Sequence, residues 1–320
     1  MGAAQPGMKK TDPRPVQLII NPRSGYGGQR YLLGELRSAM RRAGLEMVEY
    51  TTTGLCDATR RARDVSGRAQ AVVVWGGDGT VNAVAAGLAG TDVPLLPCPA
   101  GTGNLLAREL RIPSDPRRIV GALRDGVCVD CDVGLVNGRN FMLIIGVGFD
   151  AEVVRRVVAG RTGHLSHLSY FWPIWRTFWE HSFPRMRITA DGEEIFDDFG
   201  LAFVGNISRY AVGLKICRDA RFDDGLFDLV VFSCRRRHAL LLHAARTLVQ
   251  RHLPNGGVVH RRFRNLRIES DRTVSSQIDG DVGPDTPLDI SVATARIRLI
   301  MPARKPDTRQ PRPWKGNDTK

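Results

Sequence analysis

A run of apolar residues that ends in a glycine-rich turn constrains this chain more than any other feature. Residues 71–75 read AVVVW, a composition typical of a strand that is buried on both faces of a parallel sheet. The chain continues directly into GGDGT at 76–80 and then into a predicted helix at 81–88. A strand, a glycine turn and a helix in this order predict a site where backbone N–H groups and a helix N-terminus bind phosphate.

The rest of the first half repeats this alternation of strands and helices. Apolar runs predict strands at 16–20, 45–50 and 93–97, and helical spacing predicts helices at 31–43, at 58–65 and from residue 105 onward. This order predicts a doubly wound α/β nucleotide-binding domain whose ligands lie at the carboxyl ends of the strands.

The second half follows a different pattern. Short alternating runs predict strands at 141–147, 186–190, 201–204, 226–232 and 266–269, with Asn-Gly and Asp-Gly pairs at the turns. We therefore expect an antiparallel, β-rich, sandwich-like second domain. The predicted boundaries are 14–136 for the first domain, 137–290 for the second, 291–303 for a strand that returns to the first, and 304–320 for a disordered basic tail.

The formal net charge of +13 predicts attraction to polyanions. Neither zinc-finger spacing nor an aromatic RNA-recognition motif is present, so we do not expect nucleic acid as a partner. Anionic lipid is the remaining candidate for a polyanionic partner. The sequence also contains neither the apolar run of about 18 to 20 residues that spans a bilayer nor a secretory signal. We therefore expect a cytoplasmic protein.

Two further glycine-containing loops follow predicted strands of the first domain. They are NPRSG, with Asn21 and Ser24, and PAGTGN, with Gly101, Thr102 and Asn104. Because parallel strands end at one edge of a sheet, these loops and GGDGT are expected to converge there. The Thr102 hydroxyl is predicted to bind phosphate, and Asn104 is predicted to fix its loop by an Asx-type hydrogen bond.

Asp78 is the acidic residue within the GGDGT turn. At the end of a strand it is well placed to hold Mg²⁺ or to order a phosphoryl group. A tight turn in which the aspartate caps the next helix is the plainer interpretation of GGDGT alone. The presence of the two sister loops favours the phosphate site.

Three segments carry a family resemblance. They read NPRSGYGG, VVVWGGDGTVNAVAAGL and PLLPCPAGTGNLLARELRIP, in this order. Together they resemble the diacylglycerol kinase catalytic family, which includes bacterial soluble lipid kinases and the sphingosine and ceramide kinases. The resemblance covers nearly the whole chain, because GVGFDAEVV, DARFDDGLFDLVVF and QIDGD fall where that family has motifs.

The resemblance implies a lipid kinase with ATP and Mg²⁺ as cofactors. It implies that the turn at 76–80 binds the ATP phosphates, that Thr102 makes a second contact, and that Thr52 lies near the nucleotide. The residues of this turn are Gly76, Gly77, Asp78, Gly79 and Thr80.

The resemblance also implies a structural Mg²⁺ in the second domain. Its ligands would be the Asp224 carboxylate and the main-chain carbonyls of Arg221 and Leu226. From the residues alone, this segment is equally an Asp-Gly turn between two strands. One carboxylate with two carbonyls is nevertheless a plausible set of oxygen ligands for such a cation.

The catalytic base implied by the resemblance falls on Asp281 in QIDGD, where the family usually has glutamate. Aspartate is one methylene shorter, so it reaches a substrate hydroxyl only if the backbone or the substrate shifts. Asp279 is expected to share the role by orienting the hydroxyl or a metal. From the residues alone, Asp279-Gly280 is another hairpin turn.

Two stretches of the second half carry apolar residues at helical spacing. The stretch at 165–179 aligns Leu165, Leu168, Trp172, Trp175 and Trp179 on one helix face, and Pro173 should bend or begin that helix. Core packing is the favoured role of this stripe, with membrane contact as the alternative. The stretch at 235–253 mixes basic and apolar residues and fits a solvated helix as well as one on anionic lipid.

The favoured function is transfer of the γ-phosphate of ATP to diacylglycerol by an enzyme bound peripherally to the inner face of the membrane. Phosphatidylglycerol and a long-chain base are left open as acceptors. Two other classes are also left open: a kinase of a soluble substrate such as NAD, and a non-catalytic nucleotide- or lipid-binding protein, which the Asp281 departure motivates. A homodimer is left open as well.

Overall fold

The computed structural model describes residues 5–6, 12–24, 28–160, 171–210, 214–253 and 256–303. The expected tail at 304–320 and the part of the tryptophan stretch at 165–170 lie outside the described residues. The chain forms an α/β first domain and an antiparallel, β-rich second domain. The predicted fold class is therefore confirmed.

The first domain is built on four parallel strands, β2 (Val16–Ile20), β3 (Met47–Thr51), β4 (Ala71–Gly76) and β5 (Leu95–Pro99). Their order in the sheet is β3-β2-β4-β5. Every residue of β2 and β4 is buried, as expected for apolar strands with helices on both faces. The helices are α1 (Gly28–Arg42), α2 (Leu55–Val65), α3 (Asp78–Leu88), α4 (Leu105–Glu109) and α5 (Pro116–Asp125).

Local sequence explains where several of these helices begin and pack. Helix α5 begins where the Asp115 side chain accepts a hydrogen bond from the Arg117 N–H at 2.9 Å, with Pro116 at the first helical position. Helix α1 buries Leu36 and Met40, which are four residues apart and therefore share one face. These side chains join the core that also contains β2 and β4.

Among the described residues, the second domain contains most of the remaining strands and three helices. Its helices are α6 (Phe149–Ala159), α7 (Phe171–Glu180) and α8 (Arg237–Leu248). The short strand β1 (Gln5–Pro6) pairs with β6. The remaining strands are β6 (Val127–Val136), β7 (Arg139–Phe141), β8 (Ile144–Val147), β9 (Arg185–Ala190), β10 (Glu193–Gly205), β11 (Phe227–Ser233), β12 (Val258–Phe263), β13 (Asn265–Ser270), β14 (Ser275–Ile278), β15 (Asp281–Asp285) and β16 (Leu288–Met301).

These strands form two sheets that share β10. One sheet has the order β15-β14-β8-β10-β11-β12, and the other continues from β10 through β9 and β13 to β16. Their inner faces meet in a core that contains Phe141, Phe227 and Phe263. The Phe227 ring centroid lies 4.9 Å from that of Phe141 and 6.1 Å from that of Phe263. Alternating inward residues thus fill the space between two sheets, as in a sandwich.

Strand β16 connects the two domains. It pairs with β6 and β13 in the second domain, and Leu299 near its end pairs in parallel with Leu95 of β5. A strand from the end of the chain therefore extends the parallel sheet of the first domain. The β14–β15 hairpin of the second domain lies close to α3 of the first, where Asn82 contacts Asp279.

Three local predictions need correction. Helix α3 begins at Asp78 and not at residue 81, because Gly77 occupies the cap position and its carbonyl accepts the N–H groups of Thr80 and Val81. The strand predicted at 141–147 is broken into β7 and β8. The reason is that the N–H groups of Met142 and Leu143, between these strands, donate to the Asp279 carboxylate and not to a neighbouring strand.

The favoured role of the tryptophan stripe was also wrong. Trp172, Trp175 and Trp179 are about half exposed or more on α7, and only Thr177 of this helix is buried. Pro173 lies in the first turn, where a missing N–H costs little. The stripe faces outward because the opposite side of α7 packs on α6, where Arg156 and Glu180 form an ion pair at 2.8 Å.

Candidate active site

The three glycine-containing loops meet at the carboxyl edge of the parallel sheet and bond to one another. The Asn21 side chain donates to the Thr80 hydroxyl at 2.7 Å, and the Ser24 hydroxyl accepts from the Gly77 N–H at 3.2 Å. The loop after β2 is thus tied to the turn after β4. Gly25, which follows Ser24, lies outside the described residues.

The loop after β5 lies against the same turn through glycine backbones. A Cβ atom on Gly101 would stand 2.4 Å from the Gly77 Cα, and one on Gly103 would stand 2.8 Å from the Asp78 Oδ2 atom. Gly101 therefore requires glycine, because the atom it would meet is backbone, whereas a side chain at Gly103 would displace the Asp78 carboxylate. Close approach of two backbones brings their N–H groups to one small area, which is the arrangement that surrounds phosphate oxygens.

Asn104 holds the third loop in shape. Its backbone is left-handed, with φ at 50°, and its side chain bonds twice to Gly101, accepting from the N–H and donating to the carbonyl, each at 2.7 Å. Asparagine tolerates this backbone conformation better than most residues. Thr102, between the two bonded residues, is exposed at the tip of the loop.

Asp78 stands where the turn after β4 becomes α3. Burial raises the pKa of its carboxyl above the ordinary value, and the backbone N–H groups of Leu106, Leu105 and Asn104 oppose that rise. The Leu106 N–H lies 3.4 Å from the Asp78 Oδ1 atom. The first N–H groups of α3 have no partner inside the helix, so this end of the helix favours a negative charge.

Asp279 is the most heavily bonded carboxylate of the site. Oδ1 accepts the N–H groups of Leu143 and Ile144, and Oδ2 accepts those of Met142 and of the Asn82 side chain, all at 2.9 Å. Burial, with a smaller contribution from the nearby Asp78 charge, raises the pKa of Asp279 to about 6, and the backbone N–H groups of 142–144 oppose that rise. The carboxylate thus joins the second domain to α3 of the first.

Asn82 is a site residue that sequence reasoning missed. It lies four residues after Asp78 on α3, so both side chains are on one face of the helix. That spacing was readable in GGDGTVN. What it would contact was not, because its partner Asp279 is 197 residues away along the chain.

Asp281 lies just after the hairpin turn, at the start of β15. Ile278 and Asp281 pair across the turn, and both Asp279 and Gly280 have positive φ values, 52° and 91°. This is the two-residue turn that Asp-Gly favours. Asp281 is exposed, in contrast to Asp279. The hairpin therefore carries one anchored carboxylate, Asp279, which contacts α3 through Asn82, and one exposed carboxylate, Asp281.

Thr52 lies at the end of β3, on the same edge of the sheet, but its hydroxyl is engaged in its own turn. It is buried, donates to the Gly54 carbonyl at 2.6 Å and lies 3.2 Å from the Asp57 carboxylate. Asp57 also accepts the Thr53 N–H at 3.0 Å. These bonds fix the entry to α2.

The GVGFDAEVV segment, which includes part of β8 and the start of α6, packs against the β14–β15 hairpin. Gly146 of β8 pairs with Gln277 of β14, and a Cβ atom on Gly146 would stand 2.0 Å from the Asp150 Oδ2 atom. Burial raises the pKa of Asp150 to about 6, and a hydrogen bond from the Tyr210 hydroxyl opposes that rise. The Gln277 side chain in turn accepts the Gly280 N–H at 2.8 Å.

The segment at 221–226, implied as a Mg²⁺ site, has its carboxylate engaged by protein donors. Asp224 Oδ1 accepts the Leu226 N–H at 3.2 Å, and Oδ2 pairs with the Arg262 guanidinium. Arg221 pairs with the next acidic residue, Asp223, at 3.2 Å. Within the described part of the chain, no cluster of three or more acidic, histidine or cysteine side chains could hold a metal. The implied ligand set of one carboxylate and two main-chain carbonyls stays a prediction, and a Mg²⁺ ion there would have to compete with Arg262 for the Asp224 carboxylate.

Asp132 of β6, which contacts this turn, is another residue that sequence reasoning missed. It is fully buried, accepts the Gly225 N–H at 2.6 Å and forms an ion pair with Arg296 at 2.9 Å. Burial raises the pKa of Asp132, which the Gly225 N–H and the Arg296 charge oppose. An isolated aspartate in a strand gives no sequence signal for such contacts.

The fold and the site define a class. A doubly wound domain with three converging glycine-containing loops lies beside a β-rich domain whose β14–β15 hairpin carries two carboxylates. Such an arrangement suits phosphoryl transfer. Residues 15–136 match the diacylglycerol kinase catalytic domain, and residues 143–301 match the YegS C-terminal NAD kinase beta sandwich-like domain.

Relatives of known name extend over nearly the whole chain. A diacylglycerol kinase of Mycobacterium tuberculosis (strain ATCC 25618 / H37Rv) is 30% identical over 304 residues, which cover 90% of this chain and 95% of that protein. A diacylglycerol kinase of Bacillus subtilis (strain 168) is 26% identical, with 91% and 97% covered. The chain belongs to the diacylglycerol kinase family and is by class a kinase that acts on a lipid.

A solved structure agrees at the level of the fold. The crystal structure of a diacylglycerol kinase from Bacillus anthracis str. Sterne matches with a TM-score of 0.74 and 24% identity, covering 91% of this chain and 98% of that chain. The two-domain arrangement described above is therefore similar to one already observed by crystallography.

Proposed function

We propose that this chain transfers the γ-phosphate of ATP to the hydroxyl of a membrane lipid, with diacylglycerol as the favoured acceptor and phosphatidic acid as the product. The observation that carries the proposal is the contact between Asp279 and Asn82. It brings the carboxylate-bearing hairpin against the helix that follows the GGDGT turn. A donor loop and a proton acceptor on opposite sides of one edge are what phosphoryl transfer to a hydroxyl requires.

The nucleotide phosphates would lie over the three loops. The side chains of Asn21, Ser24 and Thr80 bond between loops and that of Asn104 bonds within its own loop, so their role is to shape the site. Direct contacts would come from the backbone N–H groups of Gly76, Gly77, Gly79 and Gly101 and from the exposed Thr102 hydroxyl. The partial positive charge at the start of α3 would add to this attraction.

Magnesium fits the nucleotide end of the site, because carboxylate and phosphate oxygens are the ligands it prefers. Asp78 would hold it, and the bound ion would neutralise charge on the phosphates. Asp78 suits this role because it lies at the loop junction and its charge is destabilised by burial, so a cation there would favour the ionised form.

The hairpin would supply the base. We assign proton acceptance to Asp281, because it is exposed, whereas both oxygens of Asp279 already accept N–H groups. The lipid oxygen forms a bond to the γ-phosphorus, the bond from that phosphorus to the β-phosphate oxygen breaks, and ADP leaves with the electron pair. The hydroxyl proton passes to the Asp281 carboxylate. Asp279 would position the hairpin and through Asn82 set its distance from α3.

A lipid acceptor also requires that the enzyme reach a membrane. No helix in the described ranges combines the length and apolarity needed for a membrane crossing. We propose peripheral attachment at the cytoplasmic face, where anionic lipids would attract a chain with a net charge of +13.

The test is transfer of labelled phosphate from ATP, with Mg²⁺, to diacylglycerol in mixed micelles. Wild-type chain should yield labelled phosphatidic acid, and Asp78→Asn should reduce the rate by roughly a hundredfold or more. Parallel reactions with phosphatidylglycerol, a long-chain base and lipid-free NAD distinguish the other acceptors. Absence of transfer to every lipid tested would contradict the proposal.

Variants at the hairpin separate a kinase from a binding protein. Asp281→Asn should lower the rate strongly, while Asp285→Asn, an exposed carboxylate further along β15, should not. Asp281→Glu restores the reach of the longer side chain and should retain turnover. If ATP binds normally and neither wild type nor Asp281→Glu turns over, the chain is a nucleotide- or lipid-binding protein.

A further inference from the structure

Helix α7 exposes an unusual amount of aromatic surface. Trp172 is 66% exposed, Trp175 48% and Trp179 51%, and Phe171 and Ile174 are exposed as well. Monomeric soluble proteins rarely leave large apolar side chains exposed in one continuous group. The helix is nevertheless firmly placed, because Thr177 is buried and Glu180 pairs with Arg156 on α6.

Helix α8 extends this surface. Arg237, at its start, donates to the Trp179 carbonyl and lies over the Trp179 ring at 5.6 Å from the centroid. The same helix exposes Leu241, Leu242 and Leu248. We call the exposed aromatic and aliphatic side chains of these two helices the α7/α8 surface.

The charge around this surface has one sign on its α8 side. Residues 235–253 contain five arginines and neither aspartate nor glutamate. Three of these arginines, Arg235, Arg236 and Arg237, precede or open α8, where the helix dipole disfavours positive charge. Arg235 pairs with Asp198 at 2.8 Å and Arg237 donates to the Trp179 carbonyl. One carboxylate against five arginines leaves this side of the surface with a net positive charge, which an anionic partner would complement.

We propose that the α7/α8 surface is the face by which this chain docks on a lipid bilayer that contains anionic phospholipid. Tryptophan rings favour the boundary between headgroups and acyl chains, leucines enter below it, and arginines lie at the level of the phosphates. A second protein copy would meet the same arginines, and like charge on both faces would oppose pairing. The docking inference rests on the proposed function, because that function requires access to a lipid acceptor.

Vesicle sedimentation with the full chain, without ATP, tests the inference. Wild type should bind vesicles of phosphatidylcholine mixed with phosphatidylglycerol more tightly than vesicles of phosphatidylcholine alone. Trp172→Ala with Trp175→Ala should weaken binding to the mixed vesicles by roughly tenfold or more, since two large rings lose their burial. The matched control is Tyr31→Ala, which removes an equally exposed ring from α1 of the first domain and should change nothing.

A second variant guards against misfolding. Leu241→Ala with Leu242→Ala alters α8 and should also weaken vesicle binding, while the thermal midpoint of each variant reports its folding. Three of the five tryptophans lie on α7, so fluorescence quenching by brominated lipid should be strong for wild type. Binding of both double variants equal to wild type would overturn the inference.

Two further arms separate docking from catalysis and from dimerisation. Both double variants should phosphorylate a short-chain, water-dispersed diacylglycerol at near wild-type rate and lose activity only on long-chain diacylglycerol in vesicles. If wild type lacks kinase activity but binds the mixed vesicles, the proposed function fails and docking stands. A lipid-free dimer of wild type that the tryptophan variant abolishes would assign the surface to a second copy and overturn the inference.

Discussion

Two β-hairpins of the second domain close with the same dipeptide and use it in different ways. The turns are Asp191-Gly192, between β9 and β10, and Asp279-Gly280, between β14 and β15. Both have two residues of positive φ, 48° and 88° in the first and 52° and 91° in the second. In both, the carboxylate accepts backbone N–H groups from a segment distant in sequence.

The difference lies in what surrounds each carboxylate. Asp191 is exposed and accepts the N–H groups of Arg264 and Asn265, where β13 of the same sheet begins. Asp279 is less accessible, bonds across to Asn82 of the first domain, and lies close enough to Asp78 for that charge to raise its pKa. One turn connects strands within the second domain, and the other connects the second domain to α3 of the first.

The largest effect that tests this comparison is the paired removal of charge. Asp279→Asn should lower kcat for lipid phosphorylation by roughly a hundredfold or more, because an amide cannot accept four N–H groups and the hairpin loses its position. Asp191→Asn should leave kcat within about twofold, because its carboxylate lies away from the loops. Initial rates in mixed micelles provide the measurement. Equal losses in the two variants would mean that the turns do not differ in function.

The pH dependence should also distinguish the two turns. Since burial raises the pKa of Asp279 to about 6, activity that depends on its ionised form should fall as pH drops below about 6, by roughly tenfold per unit. Asp191→Asn should keep this acid limb, and Asp279→Asn should flatten it. A pH profile of kcat between about 4.5 and 8 measures both.

The raised pKa of Asp279 affects stability and activity in opposite directions: lowering the pH should reduce activity but increase the contribution of Asp279 to the free energy of unfolding. Because the folded pKa of about 6 exceeds the ordinary aspartate value of 3.8, the folded state binds the proton more tightly than the unfolded state. The contribution of Asp279 to the free energy of unfolding therefore decreases as pH rises from about 4 to about 6. Urea unfolding should show that Asp279→Asn removes part of this pH dependence. Asp150, whose pKa is also raised to about 6, should supply a further part.

The link through Asn82 should give an intermediate effect. Asn82→Ala removes the one hydrogen bond from α3 to Asp279 and should lower kcat by about tenfold with little change in folding, because the backbone donors remain. Asn137→Ala is the matched control, since Asn137 donates to the Pro287 carbonyl within the second domain. A loss confined to stability in both variants would contradict a positioning role for Asn82.

The third Asp-Gly turn, Asp224-Gly225, should show the smallest effect. Arg262→Ala removes the guanidinium beside Asp224 and should lower the free energy of unfolding by about 0.5 to 1 kcal/mol, a modest value because the arginine is partly exposed. Arg261→Ala, which pairs with exposed Glu193, should cost less. Mg²⁺ or EDTA should leave the wild-type thermal midpoint unchanged. A thermal midpoint lower by several degrees in EDTA would support a bound metal ion at this turn.

These same residues show which features could be predicted from the sequence. The strand-turn-helix order around residues 71–88 predicted the α/β domain, and the three glycine loops were predicted to converge, because local period and parallel strand geometry are properties of short segments. Asp-Gly pairs likewise predicted the hairpin turns. Neither the anchoring of Asp279 nor the burial of Asp132 was predictable, since their partners lie far along the chain.

The sequence by itself determined the two-domain class, the convergence of the three glycine-containing loops and the family, because each depends on residues close together in the chain. Only the tertiary structure decided that Asp279 rather than Asp191 lies at the edge between the domains, and that Trp172, Trp175 and Trp179 face outward. The physical reason is that identical turns and identical helical stripes acquire their role from what packs against them. That environment is supplied by β8, β16 and α6, which no local pattern specifies.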